Sequence, residues 1–187
     1  MLLLALGLSA CQASGMVKEE KLQFTAPTLA QNFTLTDQNS NSFRMSEQRG
    51  KVVLLFFGYT HCPDVCPATL AIWKQVEEKL GDDAGRVKFV FITVDPERDT
   101  PERLKKHVEL FSQNFIGLTG SDEELTPIYE VYNVYHEQDD SGDSAAGYLV
   151  SHTASSFLVN PEGKLQSRFS FGTTSDEIVR DVRDNLP

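Results

Sequence analysis

The chain has 187 residues and a formal net charge of −10. That length suits one α/β domain with a usable core. An acidic balance of this size argues against nucleic acid as a partner.

The first ten residues, MLLLALGLSA, are apolar but too short to span a bilayer, which needs about twenty. They read as the apolar core of a secretory signal. Leu8-Ser9-Ala10-Cys11 resembles a bacterial lipoprotein cleavage box. The expected organisation is a signal segment over 1–10, a tether over 11–30 starting at a lipidated Cys11, and a folded domain over 31–187. Acyl chains on Cys11 would hold that domain on a membrane surface, on the periplasmic or extracytoplasmic side. Gln12, in place of Asp, disfavours inner-membrane retention where the host has two membranes. An exported protein lives where disulfides form. With Cys11 assigned, Cys62 and Cys66 remain, too close together to staple a fold.

Within the domain, alternation in Asn32–Thr36 and Ser42–Met45, either side of a turn-rich Asp37–Asn41, predicts a hairpin. Val52–Phe57 is a continuous apolar run, hence a strand buried on both faces. Pro67 reads as a first helical residue, with Cys66 as N-cap. Leu70, Trp73, Val76 and Leu80 keep helical spacing until Gly81. Val87–Val94 is a second buried strand. Thr100-Pro101 opens a second helix with Leu104, Val108 and Phe111 inward. Ser121 and Glu124 form a capping box for a third, with Pro127 expected to kink it or delay its start. Residues 136–147 read as a polar, flexible excursion. Phe157–Val159 and Leu165–Phe171 flank an Asn160-Pro161-Glu162-Gly163 turn, and Thr174 with Glu177 caps a last helix. The order hairpin, β, α, β, α, α, β, β, α predicts a mixed, largely parallel sheet covered by helices. It resembles the thioredoxin arrangement with an added N-terminal hairpin and a mid-chain insertion.

The chemistry concentrates in Cys62-Pro63-Asp64-Val65-Cys66. A thiol at a helix N-terminus feels the positive end of the macrodipole, which favours its thiolate; Cys66 receives this directly and Cys62 lies one turn earlier. Residues four apart on a helical turn share a side, so the sulfurs can meet one ion or each other. Thiolates select Cu(I), and an added imidazole also serves Cu(II). Structural zinc would want a fourth protein ligand. Four histidines compete as the third ligand. Side chains of neighbours point apart, which counts against His61. His107 lies on a solvated helix face. Spacing does not choose between His136 and His152. Asp95 ends a strand on the side where α/β folds place their sites; it orients a ligand or caps a turn. Asp99 neighbours the Thr100 cap, and Asp64 binds metal or braces its turn. Tyr59 and Trp73 are packing; Lys74, Lys79, Arg98 and Arg103 are a solvated set. Glu137, Asp139, Asp140 and Asp143 steer a basic partner or form a disordered loop.

FGYTHCPDVCP (Phe57 to Pro67), VDPERDTP (Val94 to Pro101) and SHTASSFLVNPEG (Ser151 to Gly163) together resemble the Sco/SenC family of copper-binding cytochrome oxidase assembly proteins. The resemblance spans roughly residues 28–187. It implies a thioredoxin fold and copper held by Cys62, Cys66 and His152. It also implies, as partner, the cytochrome c oxidase subunit carrying the copper A site, with another copper donor or thiol reductant upstream. The function implied is copper delivery to that site, or reduction of its cysteines beforehand. A generic thiol–disulfide oxidoreductase fits less well: the spacing is CxxxC, where those enzymes use CxxC, and Ser151-His152-Thr153 stands where they have a cis-proline. A peroxidase would want Thr where Pro63 stands. A redox or copper sensor is neither supported nor excluded.

Overall fold

The computed structural model describes residues 22–23, 30, 32–139 and 147–187. The signal segment 1–10, Cys11 and most of the tether lie outside the described residues, as do Asp140 and Asp143. In chain order the strands and helices are β1 (Leu22–Gln23), β2 (Thr34–Asp37), β3 (Ser42–Arg44), β4 (Val52–Gly58), α1 (Val65–Leu80), β5 (Val87–Thr93), α2 (Pro101–Val108), β6 (Phe115–Thr119), α3 (Asp122–Val131), β7 (His136–Asp139), β8 (Leu149–His152), β9 (Ser155–Val159), β10 (Leu165–Ser170) and α4 (Ser175–Asp184).

The sheet runs β1-β10-β9-β4-β5-β6-β2-β3. β4, β5 and β6 are parallel, with Leu54 opposite Phe89 and Phe89 opposite Phe115. The flanking pairs are antiparallel. This is the expected thioredoxin-like arrangement, and β2–β3 is the added hairpin, with Leu35 opposite Phe43.

Every residue of β4 is buried, because helices cover both sides of the sheet. Adjacent strand residues point to opposite faces, and Phe56 and Phe57 show it. Phe56 meets Trp73 of α1 and Phe91; Trp73 continues to Phe89 and Phe115. Phe57 meets Tyr129 and Tyr132, from α3 and its end, together with Phe157. The core is thus two aromatic layers divided by the central strands, and α4 packs beside α1.

Several expectations need correction. β6 was not anticipated from the sequence: it has five residues with Gly117 in the middle, so it lacks the long apolar run that marked β4 and β5. Its partners define it, and Gly117 lets α2 come close, since a Cβ there would lie 3.0 Å from the Leu104 Cβ. Helix α1 starts at Val65 with Asp64 at the N-cap, so Cys66 lies inside the first turn. Pro67 is tolerated as the third helical residue because the first N–H groups of a helix have no internal partner. α3 is not delayed by Pro127; it begins at Asp122 behind the predicted Ser121–Glu124 box. The start of the supposed excursion, 136–139, is strand β7, paired with β8. His107 does not lie on a solvated face: its ring packs on Phe91 and Phe111, and burial lowers its pKa.

Phe89 joins both halves of the Trp73 layer. Phe89→Ala is expected to cost about 3–5 kcal/mol, read as a lower denaturant midpoint at unchanged slope.

Candidate metal centre

The centre begins where β4 ends. A Cβ on Gly58 would lie 2.7 Å from the Cys66 Sγ, 2.8 Å from Phe56 and 2.9 Å from Phe91. Glycine is therefore what lets the thiol seat against the strand. Beyond it the chain turns, with the Cys62 N–H donating to the Tyr59 carbonyl at 3.3 Å. Asp99 pins this turn: it accepts from the Thr60 hydroxyl at 2.6 Å, from the Thr60 N–H at 3.1 Å and from the Thr93 hydroxyl at 2.7 Å. The sequence reading made Asp99 a neighbour of the Thr100 cap and missed this role. Burial raises the Asp99 pKa, against the opposing pull of the Thr60 and Thr93 bonds.

Cys66 is fully buried and Cys62 is half-buried. The Cys66 N–H points at the Cys62 Sγ at 3.5 Å, and the His152 Nε2 lies 3.4 Å from the Cys66 Sγ. All three donor atoms lie within 4.8 Å of one another. The His152 Nδ1 is 3.2 Å from the Thr153 carbonyl. A carbonyl only accepts, so Nδ1 carries the proton and Nε2 turns its lone pair towards the sulfurs.

The sulfurs are electrostatically unequal. The Cys66 thiol and the backbone N–H groups of Cys66 and Asp64 hydrogen-bond Cys62 and outweigh its burial, holding its pKa well below the usual thiol range. Burial pushes Cys66 up, and the neighbouring Cys62 charge adds to this. The expectation that the macrodipole acts chiefly on Cys66 is thus corrected. Cys62 is the thiolate, and Cys66 is a thiol that donates to it.

The structure separates the other candidates. His136 lies directly across from His152 in the β7–β8 ladder, but its ring rests on Tyr129 at 4.5 Å. His61 turns from the thiols to Arg103, 2.7 Å from its Nε2; burial, then Arg98 and Arg103, lower its pKa. Donor atoms of His61, Asp95 and Asp99 also gather within 4.8 Å, yet Arg103 faces the imidazole and Arg98 pairs with Asp95 at 2.5 Å. Two guanidiniums already supply positive charge there. Arg98 is largely buried and does not belong to a solvated set, whereas Arg103 is exposed as expected, and Lys79 pairs with Asp176. Asp95 accepts from Arg98 and from the Tyr148 hydroxyl. Asp64 is exposed at the helix N-cap. Tyr59 does more than pack: its hydroxyl accepts the Val150 N–H at 3.2 Å, and its ring stands edge-on to His152 at 5.7 Å. Trp73 is packing, as read.

The SCO1/SenC family profile matches residues 22–186. A copper-bound structure of Bradyrhizobium japonicum ScoI is 36% identical, covering 85% of this chain and 100% of that one, with a TM-score of 0.77. A SCO1/SenC family lipoprotein from Bacillus anthracis is 26% identical over 90% of this chain and 99% of that one, with a TM-score of 0.75. BsSco, a Sco-family cytochrome c oxidase assembly protein in which a disulfide switch was identified, is 26% identical over 86% and 94%, with a TM-score of 0.68.

Two outcomes are expected of the reduced protein. Iodoacetamide should still modify Cys62 rapidly well below about pH 8.5, because its lowered pKa keeps it ionised there, whereas a free cysteine slows below about pH 8.5; mass mapping should find Cys66 unmodified. Gly58→Ala should lower stability by about 1–3 kcal/mol in denaturant titrations, through overpacking against the Cys66 sulfur.

Proposed function

The chain belongs to the SCO1/SenC family, and we propose that it carries one copper ion on Cys62, Cys66 and His152 and delivers it to the copper A site of cytochrome c oxidase. The observation that carries this reading is the convergence of two sulfurs and an imidazole lone pair within 4.8 Å. Sulfur ligands suit Cu(I), and the imidazole extends the set to Cu(II). Copper is the cargo of this chemistry.

Each residue has a step. The half-exposed Cys62 thiolate makes first contact with the incoming ion. Cys66 must then release its proton, so loading expels one proton and weakens as pH falls. His152 completes the set without a proton change, since Nε2 already presents its lone pair. Three protein ligands leave room for an incoming sulfur, so transfer proceeds by exchange: a partner thiolate bonds to copper while Cys62, on the exposed side, leaves first. The folded domain, which already includes β1 at Leu22–Gln23, would work from a membrane surface, tethered through a lipidated Cys11. The relative from Bacillus anthracis is a lipoprotein, which supports that placement.

A second reading has its own support in the thiolate–thiol pair and in the disulfide switch of BsSco. Here the Cys62 sulfur attacks a disulfide between the copper A cysteines and expels one partner thiolate. Cys66, losing its proton, then attacks Cys62 and expels the other. Two electrons pass to the partner, and Cys62–Cys66 is left as the disulfide.

Copper titration of the reduced protein tests both. One equivalent should bind tightly, and the Cu(II) form should show an intense sulfur-to-copper charge-transfer band that Cys62→Ser abolishes. His152→Ala should weaken binding by at least about tenfold, the lower end of what losing even an outer-shell partner costs. Unchanged affinity and absorption in His152→Ala would overturn the ligand set. Weak copper binding with rapid reduction of a copper-A-type peptide disulfide would favour the reductase.

A further inference from the structure

His152 enters the centre as the last residue of a short two-stranded ribbon, so something must fix that ribbon. Alternate residues of a strand face the same side, and Tyr148, Val150 and His152 form such a row. Each is held from that side. The Tyr148 hydroxyl donates to Asp95 Oδ1 at 2.7 Å. The Arg98 Nε donates to Asp95 Oδ2 at 2.5 Å, its Nη1 donates to the Tyr148 carbonyl at 2.9 Å, and its guanidinium stacks 3.5 Å from the Tyr148 ring centroid. Two residues on, the Val150 N–H meets the Tyr59 hydroxyl. Two further, the His152 ring stands edge-on to Tyr59 and Phe56. Arg98 also reaches over the Tyr59 ring, at 5.8 Å, joining both anchors. Side-chain exposure is 2% for Asp95 and 17% for Arg98. A buried ion pair is weak evidence for stability and better evidence for fixed geometry.

We propose that Asp95, Arg98 and Tyr148 are positioning residues for His152: they latch the start of β8 so that, with Tyr59, the imidazole faces the Cys62–Cys66 pair before an ion arrives. This rests on reading His152 as the third copper ligand. None of the three latch residues touches the ion. The sulfurs are seated through Gly58 and through the Asp99 bonds to Thr60 and Thr93, none of which uses the Tyr148 hydroxyl, so removing that hydroxyl acts first on the imidazole half.

The test uses the full chain, reduced and metal-free, with Tyr148→Phe, which deletes one hydroxyl and keeps the ring for Arg98. Proton NMR of the His152 ring should move towards free-imidazole shifts as the ring leaves the edges of Tyr59 and Phe56. Cu(I) affinity, read by competition with a chromophoric chelator, should fall about tenfold. Adding Tyr148→Phe to His152→Ala should cost nothing further. Asp95→Asn should repeat the pattern; if it fails to fold, Tyr148→Phe carries the test alone. Unmoved His152 shifts would overturn the latch, as would a full additional affinity loss in the double variant. If His152→Ala binds copper like the wild type while Tyr148→Phe still moves the His152 ring, the ligand assignment fails and the latch stands.

Discussion

The centre depends on one constraint: a sulfur buried between the end of β4 and the first turn of α1. Gly58 makes room for it, and the aromatic layer of Phe56, Phe91 and Trp73 keeps water away. A lone thiolate in such a place is costly. The chain resolves this by keeping Cys66 protonated and aiming its hydrogen at Cys62, which has backbone donors and partial solvent access. The pair then carries one negative charge at its wetter end. Replacing the Cys66 proton by Cu(I) leaves that charge unchanged, since one monocation takes the place of another. A divalent ion would change it by one unit in a poorly screened site. The burial that sets the proton's position thus also suits a monovalent cargo.

The two halves of the site lie 86 residues apart in sequence and meet through one short loop. Asp95 opens it and Asp99 nearly closes it. Asp99 turns to the Cys62 turn through Thr60 and Thr93; Asp95 turns to β8 through Tyr148 and Arg98. The loop hangs from the central strand β5, whose neighbours are fixed by parallel pairing on both edges. The sulfur half and the imidazole half are therefore both referenced to one central strand of the sheet.

Much of this was legible in the sequence where the signal is local. Val52–Phe57 announces a buried strand by its unbroken apolar run and Val87–Val94 by a run broken only at Lys88 and Thr93, and Ser121–Glu124 and Thr174–Glu177 announce helix starts by reciprocal caps. β6 and β7 were not legible, because Phe115–Thr119 is short and broken by glycine, and His136–Asp139 is wholly polar; each is a strand only through its partner. The cysteine pair showed itself by spacing. His152 was singled out by resemblance, since spacing left His136 equal to it, and what separates them is the ring contact of His136 with Tyr129. The inequality of Cys62 and Cys66 was read the wrong way, because burial is a tertiary quantity and here outweighs the helix dipole.

The same thiolate–thiol pair would serve a disulfide reductase, so the pair alone does not choose between the two chemistries. The surroundings of His152 weigh on that choice. Disulfide exchange needs two sulfurs and an approach to one of them; the imidazole, whose lone pair is aimed by a Thr153 carbonyl on its far nitrogen, would serve it only as a base for the Cys66 proton, whereas copper takes it as a ligand. Nor does disulfide exchange need a nearly buried Asp95–Arg98 pair, whose desolvation offsets most of its attraction. That pair fixes a geometry through Tyr148 at the start of β8. Here that geometry ends at the imidazole, a group that copper coordination requires and disulfide exchange does not. The structure around His152 is therefore better accounted for by metal binding than by disulfide exchange alone.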